Sequence, residues 1–564
     1  MKQIDKITII LTVFILIFTG VLFFGAVYSG EGGSEAAGET SYASYFNPEK
    51  ITTVSLTISD EDWQDMLTNP LAEEYHVCSI EINGDVYEAA AIRTKGMTSL
   101  SQVASSNSDR YSFKIKSDEY VKDQTFNGLG KFVLNNNYQD ATYMKEFLSY
   151  QMMTELDVPT PLFAYAAVYI NGEYYGLYLM VEAVEEEFAE RNFGADFGNL
   201  YKPESINGGG FGGNEDRAGN DKAPLGVGNR NNFQRDFPAG ENDFMMQQFE
   251  GGNRFADNPM MQANAADMPS FVGEGEVFSR GTEKGFGVNQ SMNMPREFSG
   301  QGGGSDLVYT DDSLSSYSNI FDNAVFSRTD TPASKVRVVT ALKHLKDGTD
   351  LETYIDVDEV LRYFAANTAL VNLDSYAGSM KHNYYLYEEG GKLSMIPWDY
   401  NLAFGGFQSS ASDMVNFPID TPVSSGIDLS ERPMIGSLIT VDAYKEQYHS
   451  YLKWIAEEFF GDSFEKRVDS VATLINEYVK NDPTAFYSYE EYQQSLPELK
   501  KLGKFRAESI SGQLNGVIPS THDGQKMDSS SLTPVDGLNF SALGSMMGGG
   551  GFGGNADRKM PQMM

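Results

Sequence analysis

The stretch 205–305 constrains the fold of this chain more than any other feature. Glycine recurs there at about every fifth residue among Asn, Gln, Met and Phe, and no apolar periodicity is sustained. A connection of that length without structure is improbable inside a compact domain. The composition predicts a disordered, low-complexity insertion between two ordered parts, 51–204 and 306–520. A similar composition returns near the end, with four consecutive glycines from Gly548 to Gly551, so 521–564 reads as a disordered Gly/Met-rich tail. Elsewhere the 564 residues are well supplied for packing: 41% are hydrophobic and 13% aromatic, which excludes wholesale disorder.

Charge narrows the function classes. Against 42 Lys and Arg stand 79 Asp and Glu, a formal net charge of −37. Such a surface repels phosphate backbones, and no run of Lys or Arg is long enough to form a local basic patch, so a nucleic-acid role is excluded. The single cysteine, Cys78, allows no intramolecular disulfide and no cysteine-based metal centre. It lies in an alternating, strand-like run and reads as a buried, inert thiol.

At the N-terminus, 7–28 is apolar and uncharged, about the 20 residues needed to cross a bilayer. Lys2 and Lys6 precede it, and Glu31, Glu35 and Glu39 follow. The asymmetry predicts a cytoplasmic stub and transmembrane anchor over 1–28, a flexible stalk over 29–50, and the bulk of the chain outside a cell membrane crossed once. A cleaved signal peptide is the competing reading; the run is longer than a usual signal core, which favours the anchor.

The first ordered part alternates in the strand period. Two runs, 77–82 and 86–93, flank Asn83-Gly84, and two more, 165–170 and 174–181, flank Asn171-Gly172. Asn-Gly between alternating segments signals a hairpin, because both turn positions need positive φ. Further strands are expected at 53–58, 111–116 and 132–134. Met144, Phe147, Leu148, Met152 and Leu156 recur at helical spacing and predict a helix over 143–156. The sum is an α+β unit built on a mostly antiparallel sheet. The second part is strongly helical, with helices expected from Asp356 or Asp358 toward Leu373 and over 444–460, 464–479, 489–496 and 500–514. A short hairpin, 383–388 and 392–396, turns on Gly390-Gly391.

The candidate chemistry lies around that hairpin. Asp374 follows a helix, Asn383 begins one strand, and Asp399 follows the other in Pro397-Trp398-Asp399. A tight hairpin brings its entry and exit together, so Asn383 and Asp399 are expected to face one another. A carboxylate and an amide oxygen are hard ligands, suited to Mg²⁺ or Mn²⁺ holding phosphate oxygens. Asp374 is then placed to orient a nucleophilic hydroxyl and accept its proton. The same residue types also serve as turn and cap residues. Five histidines, at 76, 344, 382, 449 and 522, are scattered and give no His/Asp cluster for a metal-dependent phosphohydrolase.

The run from Asp374 through His382-Asn383-Tyr384-Tyr385-Leu386-Tyr387 to Ile396-Pro397-Trp398-Asp399-Tyr400-Asn401-Leu402-Ala403-Phe404-Gly405 resembles the signature of the spore coat protein H (CotH) kinase-like family. So do Arg93-Thr94-Lys95-Gly96, 111–116, 135–146, the Asn171-Gly172 hairpin ending at Glu182, and Asn199-Leu200-Tyr201-Lys202. The resemblance implies an atypical protein-kinase-like, two-lobed fold with an antiparallel-sheet N-lobe and a mostly helical C-lobe. It implies a Ser/Thr protein kinase that uses ATP with Mg²⁺ or Mn²⁺ and phosphorylates surface or spore-coat proteins. By the same resemblance Asp374 is the catalytic aspartate and Asp399 the metal-binding one. Asn383 becomes the second metal ligand, although nine residues separate it from Asp374, against five in ordinary protein kinases. Lys114, in preference to Lys95 or Lys116, would pair the nucleotide phosphates, Glu146 would hold that lysine, and Glu182 matches a hinge position near adenine. No Gly-rich phosphate loop of the ordinary kinase kind is present. ATP is scarce outside a cell, and that keeps a second expectation in view: a non-catalytic surface or assembly protein on a kinase-like scaffold.

Overall fold

In the computed structural model, residues 40–203 and 304–544 are described, apart from positions 327 and 408. Seven strands form the first element of the architecture: β1 (Thr52–Thr57), β2 (His76–Ile82), β3 (Asp85–Lys95), β4 (Ser112–Lys116), β5 (Lys131–Asn135), β6 (Phe163–Ile170) and β7 (Glu173–Glu182). Both Asn-Gly pairs turn hairpins as expected. Asn83 and Gly84 take φ of 50° and 101°, and Asn171 and Gly172 take 51° and 88°. In β1 alternate residues Thr52, Val54 and Leu56 are buried, so one face of the strand carries the packing.

The two-lobed, kinase-like fold with an antiparallel-sheet lobe is corrected here. The strands form a closed barrel in the order β1-β2-β3-β4-β5-β7-β6. Its seam is parallel, with β1 beside β6 from Thr52↔Ala166 to Leu56↔Ile170. More than a hundred residues separate those strands, so no turn residue records the pairing. Closure removes both sheet edges and encloses an apolar interior that includes Val54, Ile80, Ile92, Phe113, Phe132 and Val168.

The outer face of the barrel is no less important. Val133, Leu177, Leu179 and Val181 point away from the interior cluster and join a second core. That core runs through helix α1 (Lys145–Glu155) into the helical part of the molecule. The principal helices there are α2 (Val357–Leu370), α3 (Asp442–Trp454), α4 (Asp462–Lys480) and α5 (Tyr489–Leu514). Helix α2 stops earlier than expected because Val371 turns left-handed, at φ 47°. The two helices expected over 489–496 and 500–514 are one, continuous through Pro497 and opened by a Ser488/Glu491 capping box. Barrel and helices are tied by a buried ion pair. Arg110 Nη1 donates to Asp482 Oδ1 and Oδ2 at 2.9 and 2.8 Å, while Asp482 Oδ2 also accepts from Leu177 N–H at 2.9 Å.

A three-stranded sheet, β8 (Asn199–Tyr201), β9 (Tyr384–Glu389) and β10 (Lys392–Pro397), has β9 in the middle. Most of the 205–305 insertion and the end of the chain lie outside the described residues. Its two roots are adjacent: a Cβ on Gly304 would lie 2.8 Å from the Pro203 carbonyl oxygen and collide with that of Lys381. Ser305 is fixed by the Tyr384 hydroxyl, which donates to its carbonyl at 2.7 Å. Part of the expected tail packs onto the fold, with a helix at His522–Met527 and a 3₁₀ turn at Phe540–Leu543.

The expectation of a single-pass membrane protein is also corrected. Among the described residues no helix is long and apolar enough to cross a membrane. The apolar run at 7–28, on which the anchor and its membrane partner rested, lies outside the described residues.

Candidate functional site

Strand register brings the first group of residues together. Lys95 on β3 is opposite Ser112 on β4, and Leu134 on β5 is opposite Phe113, so Lys95, Ser112 and Asn135 share one row on the outer face. Lys95 Nζ donates to Asn135 Oδ1 at 2.8 Å. The amide nitrogen of Asn135 donates in turn to Glu146 Oε1 and Oε2 at 3.0 and 2.9 Å. Glu146 lies in the first turn of α1, and one turn further along, the Tyr150 hydroxyl accepts from the backbone N–H of Asp399 at 3.1 Å.

Electrostatics bind these groups into one unit. Burial raises the Glu146 carboxyl to about 7; the Asp399 charge adds to the rise and Lys95 opposes it. Burial pushes the Lys95 ammonium down, while Asp399 and Glu146 hold it up and Lys202 pushes it down further. The aromatic side chains complete the wall. Lys95 Nζ is 5.8 Å from the Trp398 ring, Lys202 Nζ is 5.9 Å from the Tyr385 ring, and the two rings meet edge to face at 5.7 Å.

A second group surrounds Asp374, which follows the loop leaving α2. His382 Nε2 lies 2.7 Å from Asp374 Oδ1. Asn383 Nδ2 donates to the Asp374 carbonyl at 2.8 Å and to its Oδ2 at 3.0 Å. The loop beyond is held by the buried Arg432, whose Nε and Nη2 donate to the carbonyls of Tyr376 and Gly378 at 2.7 and 2.6 Å. The β9–β10 ladder links the two groups. Its last pair is Tyr384↔Pro397, so Asn383 and Asp399 stand one and two residues beyond the same end of the hairpin. Both have left-handed backbones, with φ of 55° and 59°.

Asp374, Asn383 and Asp399 are thus gathered at one hairpin end, with Glu146 beside Asp399. Lys114 takes a different place. It lies opposite Arg93 and Val133, one row from Lys95 and about 7 Å along the strands. Sequence alone identified three basic strand residues but not which of them shares a row with Asn135. Glu182 also stands apart. It is wholly buried, and its carboxylate accepts from Tyr42 at 2.9 Å, Leu162 N–H at 2.9 Å and Arg191 Nη2 at 2.6 Å. Spacing along the sequence does not single out Asn135, Tyr150 or Lys202. Only the strand register and the helix contact reveal the first two.

Among the described residues no three His, Cys, Asp or Glu side chains cluster to hold a metal on their own. Mg²⁺ needs less than that, since it binds through one or two carboxylates together with substrate phosphates and water. Asp399 fits that description. So does Asn383, whose amide nitrogen is turned to Asp374 and whose carbonyl oxygen is therefore the acceptor left for a cation.

The sequence matches the CotH kinase protein family over 92–243 and 311–510, and the chain belongs to that family. The matched segments hold every residue of both groups. Among individual proteins, it is similar to the inner spore coat protein H of Bacillus subtilis (strain 168). The two are 22% identical over 381 residues, which cover 64% of this chain and 79% of that one.

Proposed function

We propose that this protein is an atypical protein kinase that transfers the γ-phosphoryl group of ATP to a Ser or Thr hydroxyl of a coat or surface protein. The observation that carries the reading is the grouping of two carboxylates, the buried Glu146 and the half-buried Asp399, with one ammonium, Lys95. Burial, with the Asp399 charge added to it, raises the Glu146 carboxyl, and a divalent cation beside Asp399 would offset that neighbouring charge. Mg²⁺ or Mn²⁺, when bound with nucleotide, supplies charge neutralisation at the phosphates. Asp399 and the Asn383 carbonyl would hold that ion. Lys95 would face the phosphates, steadied by Asn135 and through it by Glu146. Asp374, oriented by His382 and Asn383, would align the acceptor hydroxyl and take its proton as the new O–P bond forms and the bond to the β-phosphate oxygen breaks. Glu182, saturated by its own partners, is assigned a packing role.

The test is direct. The chain is mixed with γ-labelled ATP and Mg²⁺ or Mn²⁺, and transfer to itself or to a coat-protein extract is followed, with Asp374→Asn as control. Label that requires both cation and Asp374 supports the kinase. Absence of both transfer and nucleotide binding supports instead a non-catalytic assembly protein on the same scaffold.

A further inference from the structure

One short segment late in the chain touches both elements that carry the paired carboxylates. After α5 the chain docks through Thr533, which donates its N–H to Asn416 Oδ1 at 2.9 Å and accepts from Asn416 Nδ2 at 3.0 Å. It crosses α5, where Lys501 donates to the Gly537 carbonyl at 3.0 Å and Asn539 N–H donates to Glu498 Oε2 at 2.7 Å. The 3₁₀ turn Phe540–Leu543 follows.

From that turn the contacts divide. On one side the Leu543 carbonyl accepts from Ala141 N–H at 3.2 Å, and the Gly544 carbonyl accepts from Lys145 Nζ at 2.6 Å. Lys145 opens α1 and is wholly buried, next in sequence to Glu146. Its other acceptor, the Gln139 carbonyl, is 3.4 Å away. The Asp140 charge also holds this ammonium up, but of its two carbonyl acceptors Gly544 makes the short bond, so losing Gly544 loosens the seat of Lys145. On the other side Phe540 packs against Gly405, six residues after Asp399. A Cβ on Gly405 would lie 3.1 Å from Phe540 Cζ, and its N–H is bound to the Val371 carbonyl at 3.3 Å. The fit at Gly544 is equally close: a Cβ there would come within 2.6 Å of both the Gln139 carbonyl and the Tyr487 hydroxyl.

We propose that 533–544 is a positioning strap. By seating Lys145 and Gly405 together, it fixes how Glu146 and Asp399 stand to one another. Its functional consequence rests on the kinase reading; its structural consequence does not.

Two shortened chains test it, one ending at Ser545 and one at Gly537. Amide hydrogen exchange is compared in peptides from 141–155, 399–407 and, as reference, the barrel hairpin 76–95. The chain ending at Ser545 is expected to match the full chain. The chain ending at Gly537 should exchange faster in 141–155 and 399–407 together, with 76–95 unchanged. Its affinity for MgATP should fall about tenfold, the size of an ordinary positional coupling. Unchanged exchange in the two site peptides would overturn the proposal, and so would an equal rise in 76–95, which marks general loss of stability. If the shorter chain does not fold, Phe540→Ala in the full chain reads the same exchange. If the full chain binds no MgATP, the kinase reading falls while the exchange comparison still decides the strap.

Discussion

Glu146 rests both carboxylate oxygens on the amide nitrogen of Asn135, at 3.0 and 2.9 Å. The same amide takes the Lys95 ammonium on its oxygen. A neutral amide thus joins the Lys95 ammonium to the buried Glu146 carboxyl, and it is Lys95, not Lys114, that shares a row with Asn135.

Lys95→Met should therefore lower the phosphotransfer rate by about 100-fold, the usual cost of removing one preorganised charge stabiliser. Lys114→Met, one row away, should stay within a few-fold of the native protein. Initial rates of label transfer decide the matter. Equal losses for both substitutions would return the assignment to Lys114.

Asp374→Asn should reduce the maximal rate by a factor on the order of 10²–10⁴ with nucleotide affinity retained, since the group acts on the acceptor proton. The measurement is the transfer rate at saturating ATP beside the ATP concentration giving half that rate. A variant that loses affinity and keeps its maximal rate would place Asp374 in nucleotide binding instead.

The Glu146 carboxyl keeps its proton in the fold up to about pH 7, against an ordinary value of 4.5. Between those values the folded state binds more protons than the unfolded state, so this group lowers stability as pH rises. Glu146→Gln carries no such proton. Relative to the native chain it should gain stability between about pH 5 and pH 7.5, by something on the order of 2 kcal/mol. Urea midpoints of both chains at the two pH values measure the change. A difference that does not vary with pH would contradict the burial argument.

Asp482→Ala should cost about 3–5 kcal/mol, because it leaves the Arg110 guanidinium buried without its carboxylate. Burial itself pushes that guanidinium down, and Asp482 is the main charge holding it up. Chemical denaturation is the check; a loss below about 1 kcal/mol would show that the surrounding carbonyls suffice.

Much of the local structure was legible in the sequence. The Asn83-Gly84 and Asn171-Gly172 turns, the helix carrying Phe147 and Met152, and the β9–β10 hairpin each announce themselves within a dozen residues. What joins distant segments was not. The parallel seam of β1 with β6 has no turn to mark it, so the sequence predicts an antiparallel sheet where the fold closes into a barrel. At the site, the grouping is visible because one hairpin end holds Asn383 and Asp399, with Asp374 nine residues before Asn383. Lys95 and Asn135 meet only through the register of β3, β4 and β5, and spacing along a single strand does not contain that information. Glu182 matches a hinge position by resemblance, and nothing local to it in the sequence shows that Tyr42, Leu162 and Arg191 occupy its carboxylate. The 521–544 stretch reads as tail because it docks largely through single hydrogen bonds at His522, Gln525, Thr533, Gly537, Asn539 and Gly544, with no apolar periodicity to announce them.

The central claim is that Asp399 holds a divalent cation together with nucleotide at this hairpin end. Calorimetric titration of ATP into the chain, with and without Mg²⁺ or Mn²⁺, tests it most directly when repeated with Asp399→Ala. The account predicts binding that requires the cation and is lost in the variant, whose fold remains intact by circular dichroism. Binding that ignores the cation, or that survives Asp399→Ala unchanged, would contradict it.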